Sequence, residues 1–529
     1  MEGKTLSPYS LLNGVFHYIC HVSAIKKLAG QTAIYGIPSI LGRFLSYLLV
    51  PLYTNTFLPG EYGTVNVFYS YASFLMVVLT YGMETAFFRF YELENDKGKV
   101  YNTSIISLIL TSVLFILLVS IYAGPIARLI DYPKHRDYVI WFAWILTLDA
   151  LSAIPFARLR ALNKSRRFAS IKMAGILINI SLNLFFILLC PYIIKSSPHG
   201  SISHIINIFY RQDWGIEYIF ISNLVASCAT LLLLYPEIAA IRWKTDPAYW
   251  KKMFMYAFPL LFAGMAGIVN ETFDRLLLRY LLPKDIATYE VGIYAANYKI
   301  SILMTIFIQA YRYAAEPFFF AQSKEADAKK TYARIMDYFI ITVSLIFLAT
   351  MVYLDDIILR FRFIGVKYWS GRGVIPILML ANLFLGVYYN LSIWYKLSGK
   401  TIWGAWFSAI GAVITLVLNF WWIPLSHDHL IHGYLGSAWA TFICYGSMMI
   451  ISYIVGQKYY PIGYNMVKFF GYLGFAVLLY FISTRVQVGN IAVRFLFHTA
   501  LIMVFSLTAL LIEKPSVLRK HQSAGPDSP

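Results

Sequence analysis

The chain alternates between long apolar stretches and short polar connections along its 529 residues. Apolar runs of about 20 residues recur end to end, and each is long enough to cross a hydrocarbon core of ~30 Å as a helix. These runs lack the strict alternation of apolar and polar positions that is typical of a membrane barrel strand. Because backbone polar groups must be satisfied inside the bilayer, the pattern predicts an all-helical polytopic membrane protein.

Fourteen membrane-spanning helices are predicted from this pattern, with short connections between them. In chain order the spans cover 29–54, 63–90, 102–124, 138–157, 169–193, 215–236, 255–282, 291–321, 333–354, 373–395, 402–425, 433–456, 467–484 and 493–512. The longest connection, around "KSSPHGSISHIINIFYRQDW", is too short to form a soluble domain.

Composition supports a membrane protein. The chain is 59% hydrophobic and only 13% charged, whereas soluble domains contain about 25% charged residues. The net charge of +18 comes with no nucleic-acid-binding motif, so we attribute it to topology and to anionic membrane lipids. The cysteines have no paired or metal-like spacing and are interpreted as small hydrophobic residues: Cys20, Cys190, Cys228 and Cys444.

Lysine and arginine in the short loops predict the orientation, since cytoplasmic loops carry an excess of both. With the N-terminus in the cytoplasm, the strongly basic loops 158–168 and 242–252 lie inside, although the outer loops 131–138 and 360–372 are also basic. The overall excess favours both termini inside, and an even number of spans agrees. Residues 1–28 lack a clean signal-peptide pattern, so we expect them and 513–529 to be cytoplasmic.

Two parts of the chain resemble each other and predict a repeat of six spans. "IYGIPSILG" (34–42) matches "MYAFPLLFAG" (255–264), and "YGTVNVFYSYASF" matches "VGIYAANYKISIL" with Gly63 aligned to Gly292. Because six is even, both halves insert the same way up, as in parallel-repeat transporters with a site between the halves. The predicted organisation is an N-lobe at 29–252, a C-lobe at 253–460 and two further spans within 461–512.

Four cations inside predicted spans are the candidates for a substrate site. A charge at membrane depth costs at least ~2.5–3.5 kcal/mol and normally faces a partner or a wet cavity. The four are Arg43 in span 1, Arg275 in span 7, and Lys299 and Arg312 in span 8. If the halves face each other through these spans, the cations form a ladder in a central cavity. The excess of positive charge predicts an anionic cargo, and guanidinium groups suit phosphate or diphosphate.

Acids in the same spans leave a second interpretation open, because they could form internal ion pairs or bind a coupling cation, H⁺ or Na⁺. The candidates are Glu84, Glu271, Asp274 and Glu316. Glu271 precedes Arg275 by four residues, and Glu316 follows Arg312 by four, which places each pair on one helix face. For Glu84 the expected partner is Arg43 or Arg89. Asp149 in span 4 is a further acid in the apolar interior.

Polar and aromatic side chains in the outer part of the predicted cavity are candidate glycan contacts, because hydroxyl and amide groups suit sugar hydroxyls. They are Tyr69, Tyr294, Asn297 and Tyr298. Most other aromatic residues of these spans are interpreted as packing or interface belts. The loop 426–433 carries three histidines, but their spacing fits no standard zinc site, so we predict neither a metal site nor a cofactor.

The stretch "LVPLYTNTFLPGEYGTVNVFYSYASFLMVVLTYGMETAFFRFYE" (49–92) resembles the opening of the bacterial Wzx-type polysaccharide flippases. "FPLLFAGMAGIVNETFDRLLLRYLLP" (258–283) resembles the start of their second half. The similarity covers roughly residues 29–460, and the flippases belong to the multidrug/oligosaccharidyl-lipid/polysaccharide exporter (MOP) superfamily. The resemblance implies two six-helix lobes around a central cavity, with two extra C-terminal helices.

The resemblance also implies a function. Such flippases move undecaprenyl-diphosphate-linked oligosaccharides, such as O-antigen, capsule or exopolysaccharide repeat units, from the cytoplasmic to the periplasmic leaflet of the bacterial inner membrane. It implies alternating access, and a polysaccharide polymerase and chain-length proteins as partners in the same pathway. Cavity cations of related flippases imply substrate-binding roles for Arg43, Arg275, Lys299 and Arg312.

Other functions remain alternatives at this point. A flippase for the peptidoglycan precursor, lipid II, would bind the same diphosphate. A cation or drug antiporter of the same fold would need buried acids, whereas span 1 contains Arg43 and no carboxylate. A membrane enzyme acting on the same carrier would need an outer domain or a loop with catalytic acids, and the largest outer loop holds only Asp213. We therefore predict a transporter and not an enzyme.

Overall fold

A computed structural model describes residues 41–42, 44–323, 325–425, 433–486 and 489–513. Over these ranges the chain is helical and contains no strand, as the sequence predicts. The α-helices are α1 (Leu49–Thr56), α2 (Pro59–Thr80), α3 (Met83–Leu93), α4 (Lys97–Ile121), α5 (Ala123–Leu129), α6 (Arg136–Ala161), α7 (Ser165–Leu184), α8 (Cys190–Ser196), α9 (Ser201–Phe209), α10 (Glu217–Leu233), α11 (Tyr235–Ala239), α12 (Pro247–Leu281), α13 (Lys284–Gln322), α14 (Ala328–Val352), α15 (Val374–Leu391), α16 (Ile393–Leu397), α17 (Ile402–Leu425), α18 (Gly433–Tyr459), α19 (Met466–Arg485) and α20 (Ile491–Glu513).

Twelve helical segments of the described chain are long and apolar enough to cross a membrane, so the protein is a multi-pass membrane protein. Some combine two helices: α2 with α3, and α7 with α8 through a π-helical turn at Phe185–Leu189. The sixth predicted span corresponds to α10, which has 17 residues. Half of the first predicted span, the N-terminal segment 1–28 and the tail from 514 lie outside the described residues, so the count of fourteen stays a prediction.

The described helices form two compact units, each discontinuous in sequence. Among the described residues, the first unit contains 41–42, 44–49, Phe68–Ile268 and 306–323. The second contains Val50–Val67, Val269–Thr305, 325–425, 433–486 and 489–513. The lobe boundary predicted between 252 and 253 stays a prediction.

The first unit is built around α6, which packs against α4, α7 and α10. Aromatic side chains join these helices, since the ring of Phe142 lies 5.1 Å from that of Phe68 and 4.9 Å from that of Phe220. The predicted span 63–90 is interrupted at Gly82, whose φ of 74° ends α2 and starts α3. A Cβ atom at Gly82 would lie 2.8 Å from the carbonyl oxygen of Ala257, so this close approach requires glycine.

The second unit is built around α18, which packs against α15 and α17. The two C-terminal helices α19 and α20 pack on α14. Ion pairs join them at both ends: Lys468 lies 2.7 Å from Glu513 and 3.4 Å from Asp337, and His498 lies 2.8 Å from Asp356, which Arg494 also contacts. Charged contacts at the two helix ends therefore fix the depth of this helical pair in its unit.

The aligned glycines Gly63 and Gly292 contact each other in the second unit. A Cβ atom on Gly63 would lie 1.9 Å from the carbonyl oxygen of Thr288, and one on Gly292 would lie 1.8 Å from that of Pro59. Pro59 and Thr288 are the same number of residues apart as Gly63 and Gly292, so they are equivalent positions of the repeat. Each glycine therefore contacts the equivalent residue of the other half, and the contact is reciprocal. Reciprocal contacts of equivalent residues are the signature of a two-fold axis, which is the relation that the sequence repeat predicts for α2 and α13.

Gly292→Ala should destabilise the protein, because the methyl group would overlap a backbone carbonyl that has no freedom to move away. The expected cost is about 1–3 kcal/mol, or a melting temperature lower by roughly 2–10 °C, measured by tryptophan fluorescence in detergent. Gly267→Ala is the matched control, since a Cβ atom there meets nothing within 4 Å, and alanine favours a helix. Equal melting temperatures for the two variants would contradict the close crossing.

Candidate functional site

The Arg275 side chain lies in the C-terminal half of α12 and is 7% exposed. Its Nη1 atom donates hydrogen bonds to the Asp274 carboxylate at 3.1 Å and to the Glu271 backbone carbonyl at 2.9 Å. The guanidinium also lies 4.3 Å from the centroid of the Tyr298 ring on α13, within the range of a cation–π interaction. These contacts hold the charge of Arg275 between α12 and α13.

The Asp274 carboxylate is held from both helices. It is 3% exposed, it accepts a hydrogen bond from the Tyr294 hydroxyl at 2.6 Å, and it also accepts one from the Arg275 backbone amide at 2.8 Å. A buried ion pair is tolerated only when further hydrogen bonds satisfy its partners. Asp274 therefore neutralises Arg275 and positions it.

The expected ion pair between Glu271 and Arg275 is not the pair that forms. The Glu271 side chain is exposed, and only its backbone carbonyl contacts Arg275. The adjacent residue Asp274 takes this role, because Tyr294 on α13 holds its carboxylate beside the guanidinium. A contact from a second helix thus overrides the spacing along α12.

The ammonium group of Lys299 has a different environment. Lys299 follows Tyr298 on α13 and is half-buried. Throughout the described part of the chain no acid forms an ion pair with it, and the charged group that acts on it is the guanidinium of Arg275. Two like charges in a poorly hydrated environment repel each other, so this arrangement favours binding of an anion.

The candidate glycan contacts occupy three kinds of position. Tyr294 and Asn297 are completely buried; Tyr294 bonds to Asp274, and the Asn297 amide donates to the carbonyls of Ile293 and Tyr368 at 2.8 Å. These two side chains support the site and do not face a ligand. Tyr298 stacks against Arg275. Tyr69 lies in the first unit.

A polar cluster around Asn270 anchors the same part of α12 to neighbouring helices. The Asn270 amide donates to the carbonyl of Ser408 on α17 at 3.0 Å, and its backbone carbonyl accepts a hydrogen bond from Tyr445 on α18 at 3.1 Å. The Thr415 hydroxyl donates to the side-chain oxygen of Asn270 at 3.4 Å. Hydrogen bonds with three residues of α17 and α18 therefore fix the helix that carries Arg275, which keeps the cation in one place.

The remaining predicted residues lie in the first unit or outside the described residues. Arg312 and Glu316 form the ion pair that their spacing predicts, with 3.7 Å between them. Glu84 on α3 pairs with Arg160 of α6, whereas the expected partner Arg89 stacks on Tyr256 at 4.2 Å. In the same unit Asn223 donates a hydrogen bond to the Tyr69 hydroxyl at 3.0 Å.

Two predicted features cannot be placed. Arg43 and the histidine loop with His427, His429 and His432 lie outside the described residues. The convergence of four cations in one cavity accordingly stays a prediction.

Lys172 is a charged residue that sequence reasoning missed. It lies on α7, which begins at Ser165, so it is two helical turns inside the span. Its ammonium lies 4.5 Å from the ring centroid of Phe156 on α6, and it interacts electrostatically with Asp149. The predicted span began at 169, which placed Lys172 at the edge of the membrane, where lysine is common.

A cavity of about 320 Å³ lies elsewhere in the second unit, among α14, α15, α18 and α19. Its walls include Met336, Ile340, Leu391, Met449 and Phe469. Such apolar walls suit hydrocarbon and not a charged head group. We therefore place the candidate anion site at Arg275 and Lys299 and not in this cavity.

The arrangement at Arg275 and Lys299 can bind an anion but has no catalytic constellation. A fixed guanidinium and an ammonium suit the oxygens of a phosphate group. A family profile described as polysaccharide biosynthesis protein matches residues 28–323, which is more than half of the chain. The chain belongs to the polysaccharide biosynthesis protein family.

Solved structures share the fold of this family member. The lipid II flippase MurJ, in an inward closed conformation, is 16% identical, with a TM-score of 0.62 over 90% of this chain and 98% of that one. An inward-facing MATE multidrug transporter of the MOP superfamily is 12% identical, with a TM-score of 0.57 over 78% and 93%. The MATE transporter VcmN of Vibrio cholerae, in a bent form, is 12% identical, with a TM-score of 0.53 over 82% and 98%.

Among curated proteins, no sequence matches the chain. The family match and the shared fold nevertheless confirm the resemblance to the Wzx-type flippases of the MOP superfamily. The fold is shared with a lipid II flippase and with multidrug transporters.

Asp274→Asn should destabilise the protein, because Arg275 would keep its buried charge without a counter-charge. Breaking a buried pair on one side costs about 3–5 kcal/mol, which lowers the melting temperature by at least roughly 5 °C. Glu271→Gln is the matched control on the same helix and should change the melting temperature by less than about 2 °C, as an exposed substitution does. A larger loss for Glu271→Gln than for Asp274→Asn would show that the ion pair was assigned to the wrong acid.

Proposed function

We propose that the protein is a flippase for lipid-linked oligosaccharides in the bacterial inner membrane. Its cargo would be an undecaprenyl-diphosphate-linked oligosaccharide, such as an O-antigen, capsule or exopolysaccharide repeat unit. The protein would carry it from the cytoplasmic to the periplasmic leaflet by alternating access. The family match and the MOP fold support this proposal.

One observation carries the choice of cargo. In the second unit the ammonium of Lys299 has another cation, Arg275, as its charged neighbour and has no acid in an ion pair within the described ranges. A buried cation without a counter-charge is unfavourable in a membrane, so the site gains free energy when an anion binds. A diphosphate supplies negatively charged oxygens that such a site would bind.

The other elements of the proposal follow from this cargo. The diphosphate and the glycan would occupy the cationic site while the polyprenyl chain stays in the lipid. Both termini would be cytoplasmic, with basic inner loops in contact with anionic lipids. A polysaccharide polymerase and chain-length proteins would act on the exported unit. A coupling cation, H⁺ or Na⁺, would be a further partner in the transport cycle.

A lipid II flippase is the second candidate. The specific observation in its favour is the TM-score of 0.62 to the lipid II flippase MurJ. Both cargos carry the same diphosphate and differ in the glycan, so competition between the two cargos in a flipping assay would separate the two functions.

Lys299→Met should abolish flipping of a polyprenyl-diphosphate-linked sugar by the purified protein in liposomes, because the anion would lose its partner at nearly constant side-chain volume. Lys299→Arg keeps the charge and should retain part of the activity. Lys284→Met is the matched control, since Lys284 is the exposed first residue of the same helix. Full activity of Lys299→Met, with normal amounts of inserted protein, would remove Lys299 from the site.

Arg43→Ala should abolish export of lipid-linked glycan without lowering the amount of inserted protein. The reason is that span 1 contains this cation and no acid to neutralise it, so we expect its partner to be the cargo. Export is measured as surface polysaccharide in cells that lack their own flippase. Wild-type export by the variant would exclude Arg43 from the cargo site.

A further inference from the structure

The first unit contains an acid at the centre of a membrane span that the proposed cargo site does not use. Asp149 lies midway along α6, which covers Arg136–Ala161. Its carboxylate is half-buried and interacts with the hydroxyl of Ser227 on α10. Helices α6, α7 and α10 pack against one another, so the acid faces a junction of three helices.

The cation at this junction is Lys172 of α7. It acts electrostatically on Asp149, but within the described ranges neither side chain belongs to an ion pair. The Lys172 side chain is exposed, and its ammonium lies 4.5 Å from the ring centroid of Phe156. An exposed ammonium close to a ring and to an acid, yet bonded to neither, is able to accept an anion.

The other charges that face Lys172 are already paired with each other. They are Glu84 on α3 and Arg160 on α6, which act on Lys172 from the inner side. Because the two have opposite signs and are in direct contact, their fields largely cancel at a distance. The charge balance at the junction is therefore set by Asp149 and Lys172.

We propose that Asp149, Lys172 and Ser227 form a proton-linked anion site, in which Lys172 binds the phosphate oxygens of the cargo while Asp149 takes up a proton. An anion at Lys172 withdraws the positive charge that compensates Asp149 and adds a negative charge beside it. Both effects favour the neutral carboxylic acid, and the Ser227 hydroxyl continues to hydrogen-bond to it. When the anion leaves, Asp149 releases the proton and interacts with Lys172 again.

This inference rests on the proposed function, since it assigns the same anionic cargo a contact in the first unit. The proton lowers the charge that the cargo adds to the junction: the empty junction has no net charge, and the loaded junction has one net negative charge instead of two. A diphosphate diester carries two negative charges. With one proton it still moves net negative charge outward, which is the direction that an inside-negative potential favours.

The test measures the protons taken up when the purified full-length protein binds farnesyl diphosphate, a short polyprenyl diphosphate. Calorimetric titrations in two buffers of different ionisation enthalpy give this number at one pH. The diphosphate contributes its own protonation, so the decisive quantity is the difference between the wild type and Asp149→Asn. We expect the wild type to take up close to one additional proton, with binding that strengthens as the pH falls.

The variants separate the two members of the site. Lys172→Met should weaken binding roughly tenfold or more, since a charged hydrogen bond is lost, and should show no additional proton. Lys195→Met, at the outer end of the same helical span, and Asp137→Asn, in the first turn of α6, are the charge-matched controls. Both should bind farnesyl diphosphate with the proton uptake of the wild type.

A second readout uses the wild type alone, so it does not depend on whether a variant folds. On binding, the infrared carbonyl stretch of a protonated carboxylic acid should appear in the wild type. Equal proton uptake by the wild type and Asp149→Asn, or the absence of a carboxylic acid band, would overturn this site. If binding and flipping were intact in that case, the proposed function would still stand. Failure of the wild type both to bind farnesyl diphosphate and to flip a lipid-linked sugar would reject the proposed function itself.

Discussion

The cost of placing a charge inside a bilayer is the constraint on which the other features of this protein depend. A cation at the centre of a span costs at least ~2.5–3.5 kcal/mol unless a counter-charge or water compensates it. Arg275 meets the constraint with Asp274 and Tyr298, and the C-terminal helices meet it by pairing Lys468 with acids. Because each such partner lies at a defined place, charge compensation also fixes how the helices pack.

Compensation of Arg275 requires that α12 and α13 lie side by side, since Tyr294 and Tyr298 belong to the second of them. The position of α13 itself depends on a small residue. Gly292 lets α13 approach the backbone of α2 more closely than any side chain would allow. Gly292 and the two tyrosines that contact the buried ion pair, Tyr294 and Tyr298, lie within two turns of one another on α13, so the close crossing and the ion pair together set the position of the cationic site.

Much of the fold could be predicted from the sequence, because membrane thickness sets the length of an apolar run whatever its neighbours are. The alignment of Gly63 with Gly292 indicated a repeat, and the structure adds a contact between these two residues that the sequence did not predict. The partner of Arg275 could not be predicted, since spacing along one helix favoured Glu271, whereas a hydroxyl from another helix selected Asp274. Lys172 was missed for a simpler reason: the predicted span began four residues later than α7 does, so a lysine two turns inside the helix was placed near the membrane interface.

Arginine and lysine side chains in the described spans have different contacts. Arg160, Arg275 and Arg312 each contact an acid, whereas Lys172 and Lys299 form no ion pair over the same ranges. A planar guanidinium forms directed bonds that hold helices together, whereas an ammonium on a flexible stem is a mobile point charge. A carrier must release its cargo as well as bind it. In the proposed function the paired arginines would therefore give the site a fixed positive charge, and the lysines, which have no ion-pair partner over the described ranges, would exchange contacts with the cargo.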